Sequence, residues 1–141
     1  MERNNHGKHY WIFPGGKVEE NETLEEAALR EVAEETTIQT KLTKKLYSHY
    51  YEDSDAFLNN QHFFLGEYIS GEPQLSADSE ELQDNAKGQN LYYPQWVPTE
   101  KLPGLLLYPL EIRDWLIEDL KNNFSQTPRE AKLKEKDLKS K

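Results

Sequence analysis

A β-sheet covered by helices, of the α/β or α+β class, is what this sequence predicts. A short run of β-formers stops at Pro14-Gly15-Gly16, an Ala/Leu/Glu-rich helix follows at once, and two alternating runs precede a last amphipathic helix. At 141 residues the chain fits one domain.

Taken in order, Lys8 to Phe13 (KHYWIF) reads as a strand entering a Pro-Gly-Gly turn. Thr23 with Glu26 three residues on is a capping box, and Leu24 to Thr36 contains no Gly or Pro, so a helix is predicted there. Ile38 to Tyr51 and Gln61 to Ile69 alternate loosely and are rich in β-branched and aromatic residues, which predicts two strands joined by the polar loop Glu52 to Asn60. A long acidic connection, Ser70 to Asn90, leads to a strand at Leu91 to Val97, where Pro94 argues for an edge or a bulge. Pro109 is a natural first helical position, and Leu110, Ile112, Trp115, Leu116 and Leu120 form a core-facing stripe behind it. Beyond Phe124, Ser125 to Lys141 offers little apolar surface besides Leu133 and Leu138 and is expected to be a frayed polar tail, leaving a domain over 1–124. Trp11, Tyr50, Tyr51, Phe63 and Trp96 fall in predicted strands and are assigned to the core, as are His49 and His62 to a sheet face or core.

Charge and composition narrow the function. With 17 Lys+Arg against 26 Asp+Glu the formal charge is −9, so no basic surface is available for general nucleic-acid binding. No apolar run reaches membrane-spanning length, and Met1 to His6 lacks the layout of a secretory leader, so a cytoplasmic location is expected. Cysteine is absent, which excludes disulfides and thiolate-bound zinc; a metal would be held by oxygen or imidazole.

The first helix carries an anomaly. At 3.6 residues per turn, with Leu24 at zero, Ala27, Ala28 and Val32 lie near about 300°, 40° and 80° and define the buried arc. Glu31, Glu34 and Glu35 fall near about 340°, 280° and 20°, inside the same stripe rather than opposite it. Like charges at these spacings repel, and much more strongly once desolvated. Arg30 reaches Glu34 at i,i+4 but cannot neutralise all three. Clustered hard oxygens suit Mg²⁺ or Mn²⁺, and Gly15-Gly16 lets a backbone carbonyl approach as a further neutral ligand. The competing interpretation is an ordinary solvated acidic face, which the wheel disfavours.

These residues resemble a family signature. Gly16, five residues, Glu22, seven residues and then Arg30-Glu31-Val32-Ala33-Glu34-Glu35-Thr36-Thr37-Ile38 is similar to the Nudix box, G-x5-E-x7-R-E-U-x-E-E-x-G-U with U apolar, except that Thr37 replaces the final Gly. Tyr10 to Gly16 looks like the family's lead-in, and Trp96-Val97-Pro98 with Leu102 and a last helix looks like its ending. The resemblance implies a Nudix-type (MutT-like) α/β/α sandwich with a mixed sheet. It also implies a hydrolase, Mg²⁺- or Mn²⁺-dependent, that cleaves the pyrophosphate bond of a nucleoside diphosphate linked to another moiety, so that the partner is a small nucleotide. By position, Glu34, Glu35 and Glu31 are expected as metal ligands with the Gly15 carbonyl, Glu31 also as the alternative general base, Arg30 as the group orienting a catalytic Glu, and Gly16 and Glu22 in support. Family members often recruit a further acid from a later loop, for which Glu81 and Glu80 are the candidates.

Two departures shape the expectations. A β-branched Thr37 where the chain turns through positive φ costs about 1 kcal/mol or takes another exit. Relatives usually carry early strands before the lead-in, whereas only Met1 to Gly7 stand here. A sheet lacking its first strand or strands is therefore expected, from a shortened start or with a homodimer partner completing the edge. The alternative function is a Nudix-like module that binds nucleotide without turnover.

Overall fold

The computed structural model describes residues 1–51, 60–88 and 90–133. The polar loop expected at Glu52 to Asn60 and the end of the expected tail fall largely outside them. Among the described residues two mixed sheets carry the fold, in keeping with the expected α/β class. In the first, the order is β5 (Asn90–Tyr93), β1 (Glu2–Asn5), β2 (Lys8–Ile12), β6 (Leu107–Tyr108). In the second it is β4 (Gln61–Ser70), β3 (Gln39–Tyr51), β7 (Arg129–Leu133).

The sheet was expected to lack its first strand or strands, but the short opening segment contributes one, β1. β1 and β2 pair antiparallel, Asn5 opposite Lys8, across His6 and Gly7 with φ 51° and 86°. Positive φ at both loop positions is the geometry whose twist matches a two-residue hairpin. β5 then pairs with the outer edge of β1, and β6 lies parallel to β2.

α1 spans Leu24–Thr36, with the Thr23 hydroxyl accepting from the Glu26 N–H at 3.1 Å. Thr37 closes it in the left-handed conformation at φ 58°, its N–H bonded to the Ala33 carbonyl. The non-glycine exit therefore keeps the turn, and the Thr37 hydroxyl offsets part of the strain by donating to the Glu72 carbonyl at 2.7 Å.

β3 is the most buried strand: Leu46, Tyr47, Ser48 and His49 are all buried. Because side chains alternate, Tyr47 and His49 face one way and Ser48 the other. α3 (Leu110–Lys121) covers the Tyr47 side, and Leu46, next to an irregularity in the β3–β4 pairing between Lys45 and Tyr47, joins Tyr47 and Ile112 in a core with Phe13, Phe63, Leu65, Trp115, Leu116 and Phe124. α1 also packs on β3, so this strand has a helix against it from two elements of the chain. Pro109 is the residue ahead of α3, capping it, rather than its first helical residue.

Three sequence expectations are corrected. The Ser70 to Asn90 connection holds a helix, α2 (Glu80–Lys87), capped by the Ser79 hydroxyl and closed by Gly88 at φ 77°. Polarity hid it, although a Ser before and a Gly after eight breaker-free residues is a helix signature. The strand expected to reach Val97 stops at Tyr93, one residue before Pro94, and Trp96 is 61% exposed rather than in the core. The segment expected to fray places Arg129–Leu133 as a strand parallel to β3, with Ala131 buried. No helix among the described residues is long and apolar enough to cross a membrane.

Candidate functional site

The bend at Pro14 carries Gly15 and Gly16 from the half-buried C-terminal end of β2 against α1. Gly15 donates its N–H to Glu35 Oε2 at 2.8 Å. At Gly16 a Cβ would lie 2.6 Å from Glu31 Cδ, so only glycine lets the Glu31 carboxyl rest on this turn. Replacing Gly16 by Ala is expected to swing that carboxyl away while sparing the fold, lowering turnover and cation affinity by about 10- to 100-fold. Parallel thermal melts and Mn²⁺ titrations of the two proteins check this.

Arg30 organises the acids around it. Its Nε and Nη2 grip Glu22 at 2.7 and 3.0 Å, a two-point contact that the planar guanidinium favours. Nη1 donates to Glu31 Oε1 at 2.8 Å and to Glu34 Oε2 at 3.3 Å, while Nη2 also reaches the Lys17 carbonyl at 2.9 Å. The Arg30 hydrogen bond, reinforced by the Glu19 N–H, holds the Glu22 carboxyl below its usual range. One cation is thereby committed to several acids, and its two-point grip is on Glu22, on the chain ahead of the helix.

The remaining acids are left short of positive charge. Glu35 is 5% exposed, and burial pushes its carboxyl up to about 8 despite the Gly15 N–H; the neighbouring Glu81 and Glu31 add to the rise. Burial likewise raises Glu31, against the pull of Arg30. Glu81, in the first turn of α2, lies close enough to Glu35 to act on its carboxyl, so a residue 46 positions further along the chain arrives at the α1 acids. Glu80 instead faces solvent. Glu34 differs from the expected inward trio: its side chain is 47% exposed, as befits the margin of the buried arc. Gly15 meets Glu35 through its N–H, not its carbonyl.

Among the described residues no three acids or histidines converge into a ready-made metal cage. The donor set still fits a hard divalent cation. Mg²⁺ keeps several waters and takes one or two carboxylates plus substrate phosphate oxygens instead of a closed protein shell. Glu31, Glu34, Glu35 and Glu81 are the residues that could hold it.

Mixed sheets flanked by helices, with a glutamate-rich helix seated on a Gly-Gly turn, define a class of α/β proteins whose site is built for positive charge. The NUDIX domain family matches residues 1–118, and the chain belongs to that family. A "Putative 8-oxo-dGTP diphosphatase" of Bacillus subtilis (strain 168) is 33% identical over 112 residues, covering 79% of this chain and 64% of its own length. A "Putative mutator protein MutT4" of Mycobacterium tuberculosis (strain CDC 1551 / Oshkosh) is 32% identical over 125 residues, 83% of this chain and 46% of that protein. An "Oxidized purine nucleoside triphosphate hydrolase" of Danio rerio is 31% identical over 121 residues, 80% of this chain and 69% of that protein. The chain thus spans about half to two thirds of the length of these relatives.

Proposed function

We propose that this chain is a Mg²⁺- or Mn²⁺-dependent hydrolase of the pyrophosphate bond in nucleoside triphosphates, oxidised purine nucleotides included. The observation that carries the proposal is the seating of Glu35 on Gly15 and of Glu31 on Gly16, with Glu81 beside Glu35 and Arg30 bonded to Glu31. Such a site repels a polyphosphate unless divalent cations bridge the two. The names of the relatives support the choice of nucleotide.

A bound cation would polarise the phosphorus centre and acidify the attacking water. Glu34, Glu35 and Glu81 would hold it, with the Gly15 turn alongside. Glu31, desolvated yet oriented by Arg30, is the group suited to take the proton from water as the new oxygen–phosphorus bond forms. The phosphoanhydride bond then breaks, and the leaving pyrophosphate or nucleoside monophosphate carries off the electron pair. Arg30 and Glu22 act behind Glu31, fixing where its oxygen points.

The test is a screen of nucleoside triphosphates, oxidised purine triphosphates, nucleotide sugars, ADP-ribose and dinucleoside polyphosphates with Mg²⁺, Mn²⁺ or chelator. Cation-dependent release of a nucleoside monophosphate with pyrophosphate is expected. Nucleotide binding without product from any substrate would instead make the chain a binding module.

A further inference from the structure

α2 holds Glu81 against Glu35, yet none of its residues is buried, and Leu82, its single large apolar side chain, is 40% exposed. Eight residues are too few to form a stable helix alone, and here no apolar face compensates. Polar contacts must therefore fix the helix.

Two sets do so, one at each end. Ahead of the helix, the connection is stitched to the last turn of α1: the Gln74 N–H donates to the Thr36 carbonyl and the Ser76 N–H to the Glu34 carbonyl, each at 3.0 Å. Ser79, 3% exposed, donates its hydroxyl to the Ser76 carbonyl and accepts from the Leu82 N–H. At the far end Asn85 grips the backbone of Tyr92 in both directions. Its Nδ2 donates to the Tyr92 carbonyl at 2.9 Å, and its Oδ1 accepts the Tyr92 N–H at 2.7 Å. β5 is an edge strand, paired only with β1 in its sheet, so the side-chain amide takes the place of a neighbouring strand. Tyr92 is itself anchored: the Arg3 guanidinium lies 4.9 Å from its ring centre, and Asn90 donates to its hydroxyl at 3.1 Å.

We infer that Asn85 is a positioning residue that keeps the Glu81 carboxyl at Glu35 by clamping α2 to the edge of β5. Asn85 stands four residues after Glu81, on the same face of the helix, so the clamp lies one turn beyond the carboxyl it serves. A primary amide carries a donor and an acceptor on separate atoms, which matches the carbonyl and N–H of one residue's backbone. The inference rests on the reading of Glu81 as part of the hydrolytic site.

The experiment is a double-mutant cycle of Asn85→Ala and Glu81→Gln. Three quantities are read: Mn²⁺ affinity, turnover of the best nucleotide, and backbone amide exchange. Asn85→Ala should speed exchange across Glu80–Lys87 and at Tyr92, leave Leu24–Thr36 unchanged, and weaken Mn²⁺ binding and turnover about 10-fold. In the Glu81→Gln background it should add less than about twofold, because its effect passes through Glu81. Asn85→Asp, which keeps the acceptor and loses the donor, should fall between. Losses that multiply, or unchanged exchange in α2, would overturn the inference. A chain that binds Mn²⁺ but turns over no nucleotide would remove the hydrolase proposal and leave the affinity cycle to decide Asn85. A chain that does not bind Mn²⁺ at all refutes both.

Discussion

Glu35→Gln is expected to lower turnover by about a hundredfold or more and, without added cation, to make the protein more stable at alkaline pH. Both effects come from one cause. Glu35 is buried, and its carboxyl is pushed up to about 8 from 4.5. Between those values the folded chain keeps a proton that the unfolded chain has released. Stability therefore falls as pH rises through this window and levels off above it, by an amount on the order of a few kcal/mol. A glutamine has no proton to lose, and its carbonyl can still accept the Gly15 N–H. The two proteins should melt alike near pH 5 and separate by pH 8.5, with the variant higher in chelator. Mg²⁺ should close the gap by raising the wild type alone, since a cation supplies the charge that the proton otherwise supplies. Parallel pH dependence in chelator for both proteins would show that Glu35 is not a charge-starved group.

Asp119→Ala should cost about 3–5 kcal/mol in urea unfolding, the largest loss of stability foreseen for a single change. Asp119 is fully buried on α3 and accepts the Tyr47 hydroxyl at 2.7 Å and Arg129 Nη2 at 2.5 Å. Arg129 sits over the Trp115 ring, 5.6 Å from its centre, and begins the strand β7. Removing the carboxylate leaves a guanidinium beside the core without its closest counter-charge and a buried hydroxyl without an acceptor. Tyr47→Phe removes only one neutral donor and should cost about 1 kcal/mol. A loss below about 1 kcal/mol for Asp119→Ala would mean that the triad does not tie β7 to the core.

The same triad explains why the strand Arg129–Leu133 is not legible in the sequence. Ser125 to Lys141 has almost no apolar residues, and composition alone gives it no means of burying a face. Within it, Arg129–Leu133 is held by one arginine meeting an aspartate ten residues upstream, together with main-chain pairing to β3. Neither contact leaves a periodic trace. Trp96 fails for a related reason. A tryptophan in a run of β-formers looks like core, but Pro94 ends the pairing first, and Trp96 remains at the surface against Tyr68, with ring centres 5.7 Å apart.

What the sequence determined unaided is local and periodic: the α1 helix and its cap, the long strands, and the glutamates on one stripe behind a Gly-Gly turn. These follow from backbone preferences and a 3.6-residue repeat, which act between residues close in the chain. The tertiary structure alone decided which acids meet. It turned Glu35 inward and left Glu34 half exposed, brought Glu81 rather than Glu80 to Glu35, and gave the helix carrying Glu81 its hold on an edge strand. Those outcomes depend on a few long-range hydrogen bonds and on desolvation, both set by the packing of distant segments.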